Sequence, residues 1–430
     1  MGAVSCSEKP QEQKPVGDPN EKPDASYVFY EANPRVFATT NQLNAITARL
    51  ENIQDLGVDV IWLMPICEQG KEKAIGSPYC IKDFTKVHPQ YGTLDDLKNL
   101  VKKAHDLGMK VILDWIANHT SWDNPWTKNK GWHSTDASGN IISPPGFNWT
   151  DVADLNYGNA EMRQAMKDAM AFWVTEAGVD GFRCDYAEGV PQDFWTDALA
   201  YLRTLDSDII LLAEGDKSWL YEVGFDIMYA WSFPSTLENV FGGKGGASTL
   251  FEAFNKDMAN VPEGKTRMRY IINHDTASEE SPISRYGGER GAMAAFVTAT
   301  MLEGCPLIYS SQEIGYSKSL SFFSNNVMKW DSNKAYTEEY IKVMQAFNST
   351  RDVRVADPVF ANTGNVAKMT YKNSKGEMLT VMVNTKNEAA TVRVPLDFLG
   401  KEVTDLMTGE TIVPTMEMAM EPYQYYILRK

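Results

Sequence analysis

Eight short apolar runs punctuate the chain between residues 27 and 311: YVFYEA, VDVIWLMPI, KVILDWIAN, DGFRCD, DIILLAEG, GFDIMY, MRYIIN and PLIYSS. Between most of them lie stretches of helical period such as LDDLKNLVKKAHDLG, EMRQAMKDAMAFWVTEAG and ERGAMAAFVTATMLEG. Several of these end in glycine just before the next apolar run, as helix C-termini commonly do. Strands that alternate with helices build βαβ units, which place the strands parallel in one sheet. Eight such strands are the number that closes a (β/α)8 TIM barrel. The expected class is therefore α/β.

Two interruptions divide the chain. The interval from 118 to 159 breaks the rhythm after the third strand and carries Trp122, Trp126, Trp132 and Trp149 among many Asn, Gly and Pro. A loop this long inside a compact domain is usually functional, so it reads as an inserted subdomain. Beyond about residue 355 the helical pattern stops, and VAKMTYKN, EMLTVMVNT, AATVRVPLD and YQYYILRK alternate with turns, as in a small all-β sandwich. Residues 1–25, rich in Pro, Glu, Lys and Gln, read as a disordered linker. The expected domains are this linker, a barrel over 26–117 and 160–355, an insert over 118–159, and a C-terminal β-sandwich over 356–430.

Composition narrows the partners. A formal net charge of −16 repels nucleic acid and anionic lipid surfaces. It suits a neutral or cationic substrate. The five cysteines (Cys6, Cys67, Cys80, Cys184 and Cys305) form no C-x-x-C pair, and the five histidines form no zinc spacing. Cys67 and Cys80 flank one loop, where a bridge and two free thiols both stay open. The run Ala3-Val4-Ser5-Cys6 resembles the end of a bacterial lipoprotein signal, which implies a lipid anchor on Cys6. That places the chain at a bacterial cell envelope, held to the outer membrane or else periplasmic or extracellular; an arbitrary tail is the other reading. A monomer is expected.

The chemistry concentrates at the strand ends. In GVDGFRCDYAE, Arg183 and Asp185 stand two residues apart and so share one face of a strand, with Phe182 and Cys184 on the other. An isolated pair of this kind reads as a structural ion pair. The other strand ends change that. Asn118 and His119 follow strand three, Glu214 ends strand five, and Asn273, His274 and Asp275 end strand seven. Active sites of such barrels are built at the C-terminal ends of the strands. Three carboxylates, two histidines and an arginine thus converge on one rim.

In this order DWIANH, GFRCD, LLAEG and INHD resemble the four short motifs of the α-amylase superfamily of glycoside hydrolases. SPYCIKDF, VADLNYGN and GCPLIYSSQE extend the similarity over nearly the whole chain after the linker. The resemblance implies Asp185 as nucleophile, Glu214 as general acid/base, and Asp275 as the carboxylate that holds hydroxyls of the distorted sugar. It implies His119 and His274 as sugar-hydroxyl ligands, and Tyr79 as the ring under that sugar with Asp83 four residues on. Arg183 would keep Asp185 ionised, because a nearby cation lowers a carboxyl pKa. Asp114 matches the first residue of the strand-three motif and reads as a hydrogen-bonding partner; Trp115 and the tryptophans of the insert read as stacking platforms or as packing.

The same resemblance implies a calcium ion between barrel and insert, with Asn118 and Asp154 at two of its usual ligand positions. Gly189 and Glu188 stand where histidine and lysine are common, which points away from calcium and toward altered contacts on the leaving-group side. The implied activity is retaining, endo-acting hydrolysis of α-1,4-glucans. An exo-acting α-glucosidase or a transglycosylase is the alternative, and a catalytically inactive glycan-binding barrel is the reading from another class.

Overall fold

The computed structural model describes residues 27–430. The linker and Cys6 lie outside the described residues. Eight parallel strands close into a barrel: β1 (Phe29–Ala32), β2 (Val60–Leu63), β3 (Lys110–Trp115), β4 (Gly181–Cys184), β5 (Ile210–Ala213), β6 (Ile227–Tyr229), β7 (Thr266–Arg269) and β8 (Cys305–Tyr309). Each of the eight apolar runs supplies one strand, and each strand pairs with its neighbours in chain order. The expected (β/α)8 class is the one observed.

Side-chain parity decides what this barrel presents. Alternate residues of a strand face opposite sides. Phe29, Val60, Trp62, Ile112, Ile210, Leu212, Ile227, Tyr229, Met268 and Leu307 pack together as the barrel interior. Phe182 and Cys184 point outward into the larger core shared with the helices. Arg183 takes the inward parity on β4 and pairs in register with Asp114 of β3. A Cβ on Gly181 would lie 2.0 Å from the carbonyl oxygen of Ile210, so glycine there allows β4 to approach β5.

The helices cover the outside. Thr93 opens the helix Leu94–Asp106 with a capping box completed by Asp96, which satisfies two otherwise orphaned donors. The interval after β3 holds a small antiparallel ladder, His119–Ser121 against Val152–Asp154. A hairpin of Cys67–Gln69 and Ile81–Val87 stands beside it. Cys67 and Cys80 are free and buried, and their Sγ atoms face the carbonyls of Phe84 and Asp151.

The C-terminal residues form an antiparallel sheet of β9 (Val359–Thr363), β10 (Val366–Lys372), β11 (Met378–Asn384), β12 (Val403–Asp405), β13 (Thr411–Ile412) and β14 (Tyr425–Arg429). A second ladder, Ala390–Arg393 with Glu417–Met420, packs on it around Met382, Val392, Phe398 and Leu428. Four of these strands are shorter or less regular than the quoted apolar runs, and sequence alternation alone does not single them out. Among the described residues no helix is long and apolar enough to cross a membrane.

Candidate active site

Arg183 organises the mouth of the barrel. Its side chain is fully buried, a state a guanidinium sustains only when paired. Nη1 donates to Asp114 Oδ1 at 2.8 Å and to Asp185 Oδ1 at 2.9 Å, and Nε donates to the Tyr229 hydroxyl at 3.2 Å. Nη2 lies 3.0 Å from Glu214 Oε2, a charge contact out of line for a hydrogen bond. One cation thereby touches carboxylates from the ends of β3, β4 and β5. The bland reading of a single structural pair does not describe this arrangement.

The carboxyl groups differ in environment. Asp114 is sealed in and also accepts from Trp62 Nε1 at 3.2 Å and the Tyr79 hydroxyl at 3.0 Å. Asp185 and Glu214 keep 15% and 18% of their side-chain surface open to the cleft. Asp275 sits in the first turn of the helix His274–Glu279, half exposed. Burial pushes Glu214 up to about 7; Arg183 opposes the shift, and the nearby Asp185 and Asp275 reinforce it. Burial also raises Asp185, with Arg183 the largest opposing influence. Arg183 acts in the expected direction, opposing the burial that raises Asp185.

A second network crosses the mouth. His274 Nδ1 lies 2.5 Å from Glu31 Oε1, and its Nε2 lies 2.8 Å from the Tyr79 hydroxyl and 3.4 Å from Asp275 Oδ1. Burial pulls the imidazole down, but Asp275 and Glu31 overcome it and raise His274 to about 9. The ring is therefore charged at neutral pH and donates from both nitrogens, so Tyr79 accepts from His274 and donates to Asp114. Its ring stacks on the imidazole, with centroids 5.5 Å apart and planes 24° apart. His119 behaves oppositely. Burial lowers it to about 4, which leaves a neutral ring able both to donate and to accept.

The structure brings Tyr79, Asp114, Arg183, Asp185, Glu214, His274 and Asp275 into one connected cluster. It does not bring Trp115 there. Trp115 has the outward parity of β3, is 1% exposed, and packs between Phe84 and Phe182, so no sugar can stack on it. Among the tryptophans of the insert, Trp126 and Trp132 pack on each other and Trp122 lies under Lys73 Nζ. Trp149 borders the site, 5.8 Å from His119. Asp83 bonds locally to Thr85 and Lys86.

Sequence reasoning missed Glu31, Trp62 and Tyr229. All three hold inward positions near the ends of their strands, and the acid in the otherwise apolar YVFYEA was the legible signal. Glu188, singled out in the sequence, takes a role the sequence did not indicate: its Oε1 accepts the backbone N–H groups of Asp216 and Lys217 and so braces the turn after Glu214.

The calcium expectation meets a thin donor set. Asn118 Nδ2 is turned to His119 Nδ1, and burial raises Asp154, a carboxyl its surroundings do not favour in charged form. Calcium takes six to eight oxygens, typically with several carboxylates. Asn118 and Asp154 supply one amide and one carboxylate toward such a set, and no cluster of three His, Cys, Asp or Glu adds to them among the described residues.

Residues 28–140 and 147–387 match the family described as "Alpha amylase, catalytic domain". The α-amylase MalA of Haloarcula japonica is 28% identical over 412 residues, which are 89% of this chain and 58% of that protein. The cyclomaltodextrinase of Geobacillus thermopakistaniensis is 25% identical over 90% of this chain and 69% of its own length. The crystal structure of an α-amylase from Lactobacillus plantarum superposes with a TM-score of 0.85 at 29% identity, covering 95% of this chain and 99% of that one. The chain spans 58% and 64% of the Haloarcula and Dictyoglomus thermophilum α-amylases that it matches. A match over most of the chain, on a closed eight-stranded barrel with its acids at the expected strand ends, establishes that the chain belongs to the α-amylase family.

Proposed function

We propose that the chain hydrolyses α-1,4-glucosidic bonds in starch, glycogen or maltooligosaccharides with retention of configuration. Cleavage of an acetal needs one carboxyl group to protonate the leaving oxygen and a second to catch the oxocarbenium-like centre from the opposite face. Glu214, raised to about 7, keeps a large protonated fraction near neutral pH where an ordinary carboxyl keeps almost none, and takes the first role. Asp185, tied to Arg183, takes the second and forms the covalent glycosyl intermediate. Water then attacks that intermediate as Glu214, now deprotonated, accepts its proton.

The single observation that carries this reading is the Arg183 bridge. One guanidinium holds both acids, which favours the separation of roughly 5–5.5 Å typical of retaining enzymes over the wider gap that admits a water. Asp275, His119, His274 and Tyr79 would hold the attacked sugar. A proposed lipid anchor on Cys6 would keep the enzyme at the cell envelope, where it meets polymers; an unmodified Cys6 in the mass of the native protein would remove that part.

The test is direct. Maltoheptaose should yield α-anomeric products at first formation, read by proton NMR, and Asp185→Asn should fold normally while losing turnover. Products of β configuration, or full activity in that variant, would refute the assignment. An oligosaccharide blocked at its non-reducing end separates endo from exo action, since an exo enzyme needs the free end.

A further inference from the structure

A cavity of about 440 Å³ opens on the outside of the barrel, between two of its helices and the C-terminal sheet. One bank comes from the helices Glu289–Thr300 and Lys334–Asn348, which follow β7 and β8. Helices of such a barrel run back from the C-terminal ends of the strands, so their first turns stand level with the mouth. The far end agrees: just past the second helix, Arg351 pairs with Asp59 at 2.6 Å, immediately before β2. Arg290, Ala335, Glu338 and Glu339 therefore line the cavity at the level of the active site but outside the ring of strands.

The other bank is the C-terminal sheet, through Asp405 of β12 and the tyrosines around the start of β14. Tyr425 fastens the two banks, its hydroxyl donating to Glu339 Oε1 at 2.6 Å. Tyr423 has a left-handed backbone, φ 56°, and its ring lies parallel to Phe241 with centroids 6.1 Å apart. A tyrosine keeps that conformation only where its surroundings impose it. Gln424 donates to the Tyr426 hydroxyl at 3.0 Å, which leaves that hydroxyl its own proton to give. The amide is itself fixed, because its Oε1 accepts the Glu421 N–H at 2.7 Å. Arg290, Glu338 and Lys342 are exposed and form no hydrogen bond or ion pair with another described residue. The sheet's bank lies past residue 387, where the family match ends.

We propose that this cavity is a second glucan site, which holds a neutral α-glucan strand beside the mouth while the cleft cuts another part of the same polymer. The proposal rests on the hydrolase reading above for the kind of glycan. Arg290 and Lys342 stand among Glu338, Glu339 and Asp405, so neither sign prevails and an ion of either charge gains little. Charged donors and acceptors with no partner of their own suit hydroxyl groups, which both donate and accept. The partly buried rings of Tyr425 and Tyr426 supply apolar surface on which the C–H face of a pyranose packs. The volume falls within the range of ligand clefts. Level with the mouth, the site turns capture of a long chain into an intramolecular step. That raises the effective concentration of polymer at the cleft without adding a contact to the reacting sugar.

The experiment compares a polymer with a short substrate on the full-length chain. Ala335→Trp fills the cavity from an exposed helix position, and Tyr426→Ala removes one of its stacking surfaces. Each should lower kcat/KM on amylopectin about tenfold, the worth of one aromatic contact, and leave it unchanged on maltotriose, which sits in the mouth alone. An unchanged ratio between the two substrates in Ala335→Trp would overturn the site. A native gel containing amylopectin reads binding apart from turnover. The Asp185→Asn chain should be retarded there, and adding Ala335→Trp should remove most of the retardation. If that pattern appears while the wild-type chain cleaves neither substrate, the hydrolase reading fails and the site stands. If the wild-type chain is active and Ala335→Trp leaves the retardation untouched, the site fails and the hydrolase reading stands.

Discussion

His274 Nδ1 and Glu31 Oε1 meet at 2.5 Å across the barrel mouth, one from the first residue of the helix after β7 and the other from near the end of β1. Both side chains are buried, so neither charge is tolerable without the other.

Removing one partner should therefore be costly in a pH-dependent way. A histidine raised from 6.5 to about 9 contributes stability that is fully present below 6.5 and lost as pH climbs through about 9. Glu31→Gln should destabilise the fold by about 3 kcal/mol near pH 6, typical of a broken buried pair, and by clearly less at pH 9.5. Thermal melting at the two pH values checks this, and an equal cost at both would contradict it.

Glu214 sets the basic limb of activity. The acid must be protonated for the first step, so kcat/KM should fall as pH rises through about 7. Glu214→Gln should lose roughly a hundredfold or more on oligosaccharides and lose that limb.

The same residue makes an opposite forecast for stability. A carboxyl raised from 4.5 to about 7 favours folding below 4.5 and loses that contribution as pH climbs through about 7. Glu214→Gln should thus melt progressively higher than the wild-type chain between pH 4.5 and 8, by up to about 3 kcal/mol. A constant difference would mean that burial does not govern Glu214.

Arg183→Lys keeps a positive charge but cannot hold Asp114, Asp185 and Glu214 together, because an ammonium lacks the planar fork. Activity should fall at least about a hundredfold while the chain still folds. Arg183→Ala leaves buried carboxylates unpaired and should cost about 3–5 kcal/mol by denaturant unfolding.

Gly181→Ala tests the packing beneath the site. The new Cβ would meet backbone, not a flexible side chain, so β4 or β5 must shift. Loss of both stability and activity is expected, with a lowered midpoint of unfolding in urea.

The eight strands and the outward fate of Phe182 and Cys184 were legible because apolar runs and a two-residue period are local properties. The acids at the strand ends were legible too, since a charge at the end of an apolar run has few bland explanations. Trp115 misled because one step in register separates mouth from core, and nothing in DWIANH marks that step. Glu31 was marked by its charge but not by its role, and Tyr229 looked like ordinary strand composition, because each acts through a partner more than 40 residues away.

By itself, then, the order of apolar and amphipathic segments determined the closed barrel and placed Arg183, Asp185 and Glu214 at its rim. Only the tertiary structure decided their chemistry. It is barrel closure that sets Asp185 and Glu214 on one guanidinium, buries Glu214 enough to hold its proton, and folds Tyr186 over Gly189 against Phe147. Charge state and contact depend on what surrounds a group in space, and in a barrel those surroundings come from every strand at once.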